Sequence, residues 1–196
     1  MSSTNKKDLL VPCLYFEKTG KENTRMTLEM AAKRAKELGI KNIVVATTSG
    51  ETGLLATELF SGKNLVIVTH STGFVKPDYQ ELQAESRKKI EKAGAKILTS
   101  QHAFGGVGRA VRKKLGTYEL EEIVAYTLRV FGEGTKVAVE IAIMAADAGL
   151  IPTSEACICV GGTGHGADTA VVLKPSNAQT FFDLRVMEIL AKPHFD

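Results

Sequence analysis

Three short segments of this 196-residue chain follow an apolar, β-branched run and combine hydroxyls with glycine. They are Thr47-Thr48-Ser49-Gly50-Glu51-Thr52, Thr69-His70-Ser71-Thr72-Gly73-Phe74 and Thr99-Ser100-Gln101-His102-Ala103-Phe104-Gly105-Gly106. A fourth segment, Gly161-Gly162-Thr163-Gly164-His165-Gly166-Ala167-Asp168, is glycine-rich. Hydroxyls donate hydrogen bonds, and glycine lets the backbone approach a ligand closely. A helix N-terminus adds free N–H groups with a partial positive charge. Together these suit a phosphate. Any one of the segments read alone is equally a capped turn; their recurrence favours a site. Glu51 works against an anion unless its side chain turns away.

The familiar nucleotide motifs are missing. No Lys-Ser or Lys-Thr pair follows the glycine-rich segment, so it is not a Walker A loop. Gly106-Val107-Gly108 is followed by Val111 where a dinucleotide fingerprint has Gly or Ala. His70, His102 and His165 fall in the loops without metal-ligand spacing, which leaves them as pocket lining or exposed loop residues and predicts no metal. Asp147 and Asp168 are acid or base candidates, although Asp168 also suits a turn. No nucleophile–histidine–acid arrangement follows from spacing. The run Arg109, Arg112, Lys113, Lys114 reads as a solvated helix face, with Arg109 near enough to the helix start to reach a phosphate.

The elements that must position these segments alternate. Cys13 to Phe16 forms a short first strand. Asn23 or Thr24 caps a helix whose apolar stripe is Leu28, Ala31, Ala35 and Leu38, ended by Gly39. Ile43 to Ala46, Leu65 to Val68 and Ala95 to Leu98 are short apolar strands, separated by helices over about residues 52–60 and 79–93. Parallel strands joined by helices give a doubly wound sheet, and ligands there bind beyond the strands' carboxyl ends. Further helices follow, the last over Thr135 to Gly149. Ala156 to Val160 and Thr169 to Leu173 read as a hairpin forming an antiparallel edge. The stretch from Phe181 to Pro193 is ambiguous between helix and strand.

Composition sets the bounds. A net charge of +3, 6% aromatics and no Trp argue against nucleic acid. No apolar run reaches the ~20 residues of a membrane helix. Three cysteines, with Cys157 and Cys159 on one strand face, read as reduced thiols in a reducing, cytoplasmic compartment. A loose tail is expected over residues 1–10 and one α/β domain over 11–196.

The motifs Glu22-Asn23-Thr24, Thr27-Leu28, Ser49-Gly50-Glu51-Thr52, Val68-Thr69-His70-Ser71-Thr72-Gly73-Phe74, Glu140 to Gly149 and Gly161 to Val172 occur in one order from about Tyr15 to Pro193. In this the chain resembles the stand-alone archaeal-type proteins similar to the C-terminal α/β domain of pyruvate kinase. The resemblance implies a three-layer α/β/α sandwich with a mainly parallel sheet, flavin mononucleotide (FMN) as ligand, and self-association into a homo-oligomer. It implies no established reaction; with FMN, flavin redox chemistry is the natural enzymatic reading. Pyruvate kinase does its chemistry in a (β/α)₈ barrel of ~250 residues, which these residues cannot contain.

Carried onto this sequence, the resemblance places the phosphate on Thr47, Thr48, Ser49, Gly50 and Thr52, with Asn23 and Thr24 closing that side. His70, Thr72, Gly73 and Phe74, and then Phe104, Gly105 and Val107, flank the ribityl chain or ring. Met144, Asp147, Gly161, Gly162, Thr163, Gly164 and Asp168 line the far wall. The rival readings are a regulatory module sensing a phosphorylated metabolite, and a hydrolase or lyase using Asp147 or Asp168.

Overall fold

The computed structural model describes residues 8–194, so most of the expected loose tail, residues 1–7, lies outside the described residues. The strands are β1 (Leu14–Phe16), β2 (Asn42–Ala46), β3 (Asn64–Thr69), β4 (Lys96–Thr99), β5 (Cys157–Gly161), β6 (Thr169–Lys174) and β7 (Arg185–Pro193). The helices are α1 (Thr24–Glu37), α2 (Glu51–Leu59), α3 (Ala84–Lys92), α4 (Gly106–Leu115), α5 (Leu120–Arg129) and α6 (Glu133–Asp147).

All the strands join one sheet in the order β1-β7-β6-β5-β2-β3-β4. Every pairing is parallel except those of β6 with β5 and β7. The fold is a three-layer α/β/α sandwich with a mainly parallel sheet. Successive β-branched residues serve opposite layers. Ile43, Val45 and Ile67 pack with Leu28 and Ala31 of α1, Ala56 of α2 and Ile90 of α3. Val44, Val66 and Cys159 pack with Ala138, Ile141, Ala142 and Ala145 of α6. Cover on both faces is why these strands are continuous apolar runs.

Helix α6 is buried all round because α5 lies on its outer side. Val139 and Ile143 pack there with Ala125 and Phe104. Cys157 and Cys159 sit on one face with sulfurs 3.7 Å apart, and burial pushes the Cys159 thiol well up. Among the described residues, no helix is long and apolar enough to cross a membrane.

Several local expectations are corrected. The β5–β6 hairpin exists, but β6 is not an edge: β7, the stretch read as ambiguous, pairs along it and β1 lies beyond. Leu38 is exposed, and Thr27 takes its place on the buried face of α1. Helix α3 begins at Ala84 rather than near 79. The preceding turn is held by Leu82 N–H donating to Gln80 Oε1, and it swings Glu81 back to His70.

Candidate functional site

From β2 the chain steps outward through β3 to β4, and β5 returns on the other side of β2. A crevice is expected at such a reversal, beyond the strands' carboxyl ends. A cavity of about 1100 Å³ lies there, lined by residues from both helical layers.

One part is built around the turn from β2 into α2. Thr47 Oγ1 accepts from Gly53 N–H at 3.3 Å and so closes the turn. The N–H groups of Thr48, Ser49 and Gly50 have no partner among the described residues. Glu51 and Thr52 open α2, where N–H groups have no acceptor within the helix. The hydroxyls of Thr48, Ser49 and Thr52 are also without partners among the described residues, and all three residues line the cavity. Glu51 is answered by Lys21, 2.6 Å away. The Lys21 hydrogen bond and charge hold its carboxyl below the usual range.

The glycine-rich loop closes this side. Asp168, fully buried, accepts from Gly20 N–H (3.1 Å), Thr163 N–H (3.2 Å) and Thr169 Oγ1 (2.8 Å). Thr24 Oγ1 accepts from Ala167 N–H at 3.0 Å. Gly166 has φ +75, and a Cβ there would stand 2.5 Å from Thr24 Oγ1. The segment before α1 therefore docks against the loop after β5 only because that position is glycine.

The other wall is aromatic and charged. Phe74 stacks on His70 (ring centroids 4.2 Å apart) and on His102 (5.1 Å), and the Arg109 guanidinium sits 4.8 Å from the Phe74 ring centre. His70 Nδ1 is 2.7 Å from Glu81. Helix α6 presents Glu133, Lys136, Glu140 and Met144 to the cavity, successive positions three or four apart on one face. Lys136 and Glu140 are both 3% exposed and are paired at 2.6 Å. Glu140 Oε1 also accepts from Phe104 N–H at 3.0 Å, and its other oxygen is 3.9 Å from His102 Nδ1. Arg112 pairs with Glu122, and Arg129 with Glu133.

Burial outweighs the nearby Glu140 and holds His102 down to about 4, with His70, Arg109 and Lys136 acting in the same direction. The imidazole is therefore neutral at neutral pH. In the unfolded chain it titrates near ~6.5. Between these values the unfolded state binds a proton that the folded state refuses. Its effect on stability is thus absent above about pH 6.5 and grows more unfavourable as pH falls toward about 4. We expect His102→Gln to lose about 2 kcal/mol less stability than the parent between about pH 7 and pH 4.5, read from urea unfolding at each pH. Parallel losses in the two proteins would exclude this origin.

Of the residues expected at the site, Thr24, Thr47, Thr48, Ser49, Thr52, His70, Phe74, Phe104, Met144, Gly162 and Gly164 line the cavity. Thr72, Gly73, Gly105 and Val107 instead line a neighbouring hollow of about 660 Å³, beyond the wall of Phe74, His102 and Arg109. Asn23 stands at the N-cap of α1 but turns its amide to the Lys18 carbonyl. Gly50 faces away, against Leu82 and Ser86. Gly161, Thr163 and Asp168 are not among the residues lining the cavity, and Asp168 braces the loops around it. Asp147 lies at the far end of α6, where it accepts from Asn177 Nδ2 and Ala178 N–H.

The run Arg109, Arg112, Lys113, Lys114 divides: Arg109 and Arg112 are half-buried and line the cavity, whereas Lys113 and Lys114 are exposed. Sequence reasoning missed Lys21, Lys136 and Glu140 as lining residues. Two opposite charges four apart inside an otherwise apolar helix were the available signal.

The sequence matches the family described as "Pyruvate kinase, alpha/beta domain" over residues 25–173. The chain belongs to the pyruvate kinase alpha/beta-domain family. For this alpha/beta domain the match runs from α1 to β6, so it includes the β2–α2 turn, the α6 charges and the glycine-rich loop. Among solved structures, the domain is similar to that titled "Crystal structure of O-ureido-L-serine synthase", with 18% identity and a TM-score of 0.30. That alignment covers 66% of this chain and 48% of the other, so the chain spans less than half of the length of that protein.

Proposed function

We propose that this pyruvate kinase alpha/beta-domain protein binds FMN, its phosphate on the Thr47–Thr52 turn and its ring against the apolar wall. The observation that carries the reading is the turn itself. The hydroxyls of Thr48, Ser49 and Thr52 have no partner among the described residues and their residues line one cavity, at the start of a helix whose first N–H groups lack an acceptor within the helix, and such donors suit an anion. Lys21 removes the objection that Glu51 would repel a phosphate. Phe74, Phe104, Ile141 and Met144 offer the apolar surface that an isoalloxazine needs, with polar groups at its margins.

Bound flavin supplies one- and two-electron redox chemistry. The chain's own residues would orient it: the turn fixes the phosphate, and the aromatic wall limits the ring. Self-association remains part of the proposal.

A second reading is a non-catalytic module sensing another phosphorylated metabolite. The observation favouring it is the number of charged groups on the cavity wall, which a sugar phosphate would use more fully than a flavin ring.

One titration separates the two. The full chain is incubated with FMN, riboflavin or a sugar bisphosphate, free ligand is removed, and visible absorbance and thermal shift are read. FMN should be retained and riboflavin bound on the order of 100-fold more weakly, because several charge-assisted hydrogen bonds are lost. Retention of no flavin, with stabilisation by the sugar bisphosphate, would replace the first reading with the second.

A further inference from the structure

We infer that the end of the cavity formed by α4, α5 and α6 is a second ligand subsite, which takes a small carboxylic acid in its carboxylate form. The inference does not depend on what the β2–α2 turn binds. That turn belongs to the helical layer of α1, α2 and α3, whereas these groups belong to the opposite layer. At about 1100 Å³ the shared cavity exceeds the ~300–1,000 Å³ usual for a single drug-sized ligand.

The donors and acceptors do not balance there. Glu122 receives Arg112 Nε on both oxygens, at 2.9 and 3.2 Å. Both Glu133 oxygens are taken by Arg129. Glu140 is taken by Phe104 N–H and Lys136. All three carboxylates are thus engaged. The cations keep N–H groups free: among the described residues, both terminal nitrogens of Arg112, Nη1 of Arg129 and the whole guanidinium of Arg109 lack a hydrogen-bond acceptor, and the three guanidinium groups otherwise lie over the rings of Tyr118, Tyr126 and Phe74. Lys136, 3% exposed, directs one of its three N–H groups to Glu140.

The four cations Arg109, Arg112, Arg129 and Lys136 against those three carboxylates leave one net positive charge at this end of the cavity. One excess charge matches a monoanion better than a phosphate dianion. Planar guanidinium forks match a planar carboxylate, and a buried Lys with unfilled donors favours the ligand that fills them. Ala125 and Tyr126 beside them suit an apolar or aromatic body.

The test is calorimetric titration of the full chain with benzoate, in the absence and presence of saturating inorganic phosphate. Benzoate should bind in both conditions, because its subsite has one excess charge and planar guanidinium groups that match a carboxylate monoanion. Arg109→Met should weaken it at least about tenfold, the loss of one charged hydrogen-bonding partner. That variant orphans no carboxylate, so its fold is expected to persist, and circular dichroism checks this. Lys114→Met, on the exposed side of α4, should leave benzoate binding unchanged. The same shifts are expected whether or not the chain retains FMN. Absence of benzoate binding, competition by phosphate at a common site, or a folded Arg109→Met with parental affinity would each overturn the inference.

Discussion

Glu140→Leu should destabilise the fold by about 3–5 kcal/mol. Removing the carboxylate leaves the Lys136 ammonium, 3% exposed, without its 2.6 Å partner. It also leaves the buried Phe104 N–H without its acceptor. The cost is mainly that of an orphaned buried charge, and not the worth of the pair. The double variant Lys136→Met/Glu140→Gln should therefore recover most of the loss, because the charge is gone and the Gln oxygen still accepts from Phe104. Urea unfolding of the three proteins decides it. A Glu140→Leu protein within about 1 kcal/mol of the parent would mean that the pair behaves as a solvated surface pair.

Gly50→Ala should cost about 2–5 kcal/mol, from two sources. Gly50 sits at φ +108, a region where a Cβ costs about 1–2 kcal/mol. A Cβ there would also stand 2.4 Å from Ser86 Cβ and 2.9 Å from Leu82 Cδ1, an overlap worth about 1–3 kcal/mol. The two separate in the background Ser86→Gly, which relieves the main overlap but not the backbone strain. Gly50→Ala should be milder there by about 1 kcal/mol or more. Because the strain falls on the turn whose Thr48, Ser49 and Thr52 line the cavity, phosphate-bearing ligands should weaken with it. Equal costs in both backgrounds would show that packing against α3 is not involved.

Much of this architecture is local and therefore legible in the sequence. Ile43 to Ala46 and Leu65 to Val68 are β-branched runs between glycine-ended helices, and such periods need no knowledge of distant residues. The Thr47–Thr52 segment is legible for the same reason, since the donors that it presents belong to one turn of chain. The same holds for α6 as a buried helix, largely apolar and followed by Gly149 and Pro152.

Site membership was not legible. Glu140 and Asp147 are seven residues apart on α6 and lie on nearly the same face, but about 10 Å apart along its axis. The resemblance placed Asp147 on the site wall; the placement of α6 across the sheet puts Glu140 at the cavity and Asp147 beside Asn177. Arg109 and Arg112 read as a solvated face because their own helix offers neither a partner; Phe74, under the Arg109 guanidinium, and Glu122 of α5, paired with Arg112, come from other segments of the chain. Strand β7, with its first three residues exposed, lacks a clean alternation and acquires its identity from pairing with β6.

The sequence by itself determined the elements, their α/β alternation and the anion-suited turn, because propensity, periodicity and turn chemistry act over a few residues. Only the tertiary structure decided the strand order, the charged wall and which side chains share the cavity. Those depend on contacts between segments far apart in the chain, where a shift of two helical turns, or a helix arriving from elsewhere, changes which group meets which.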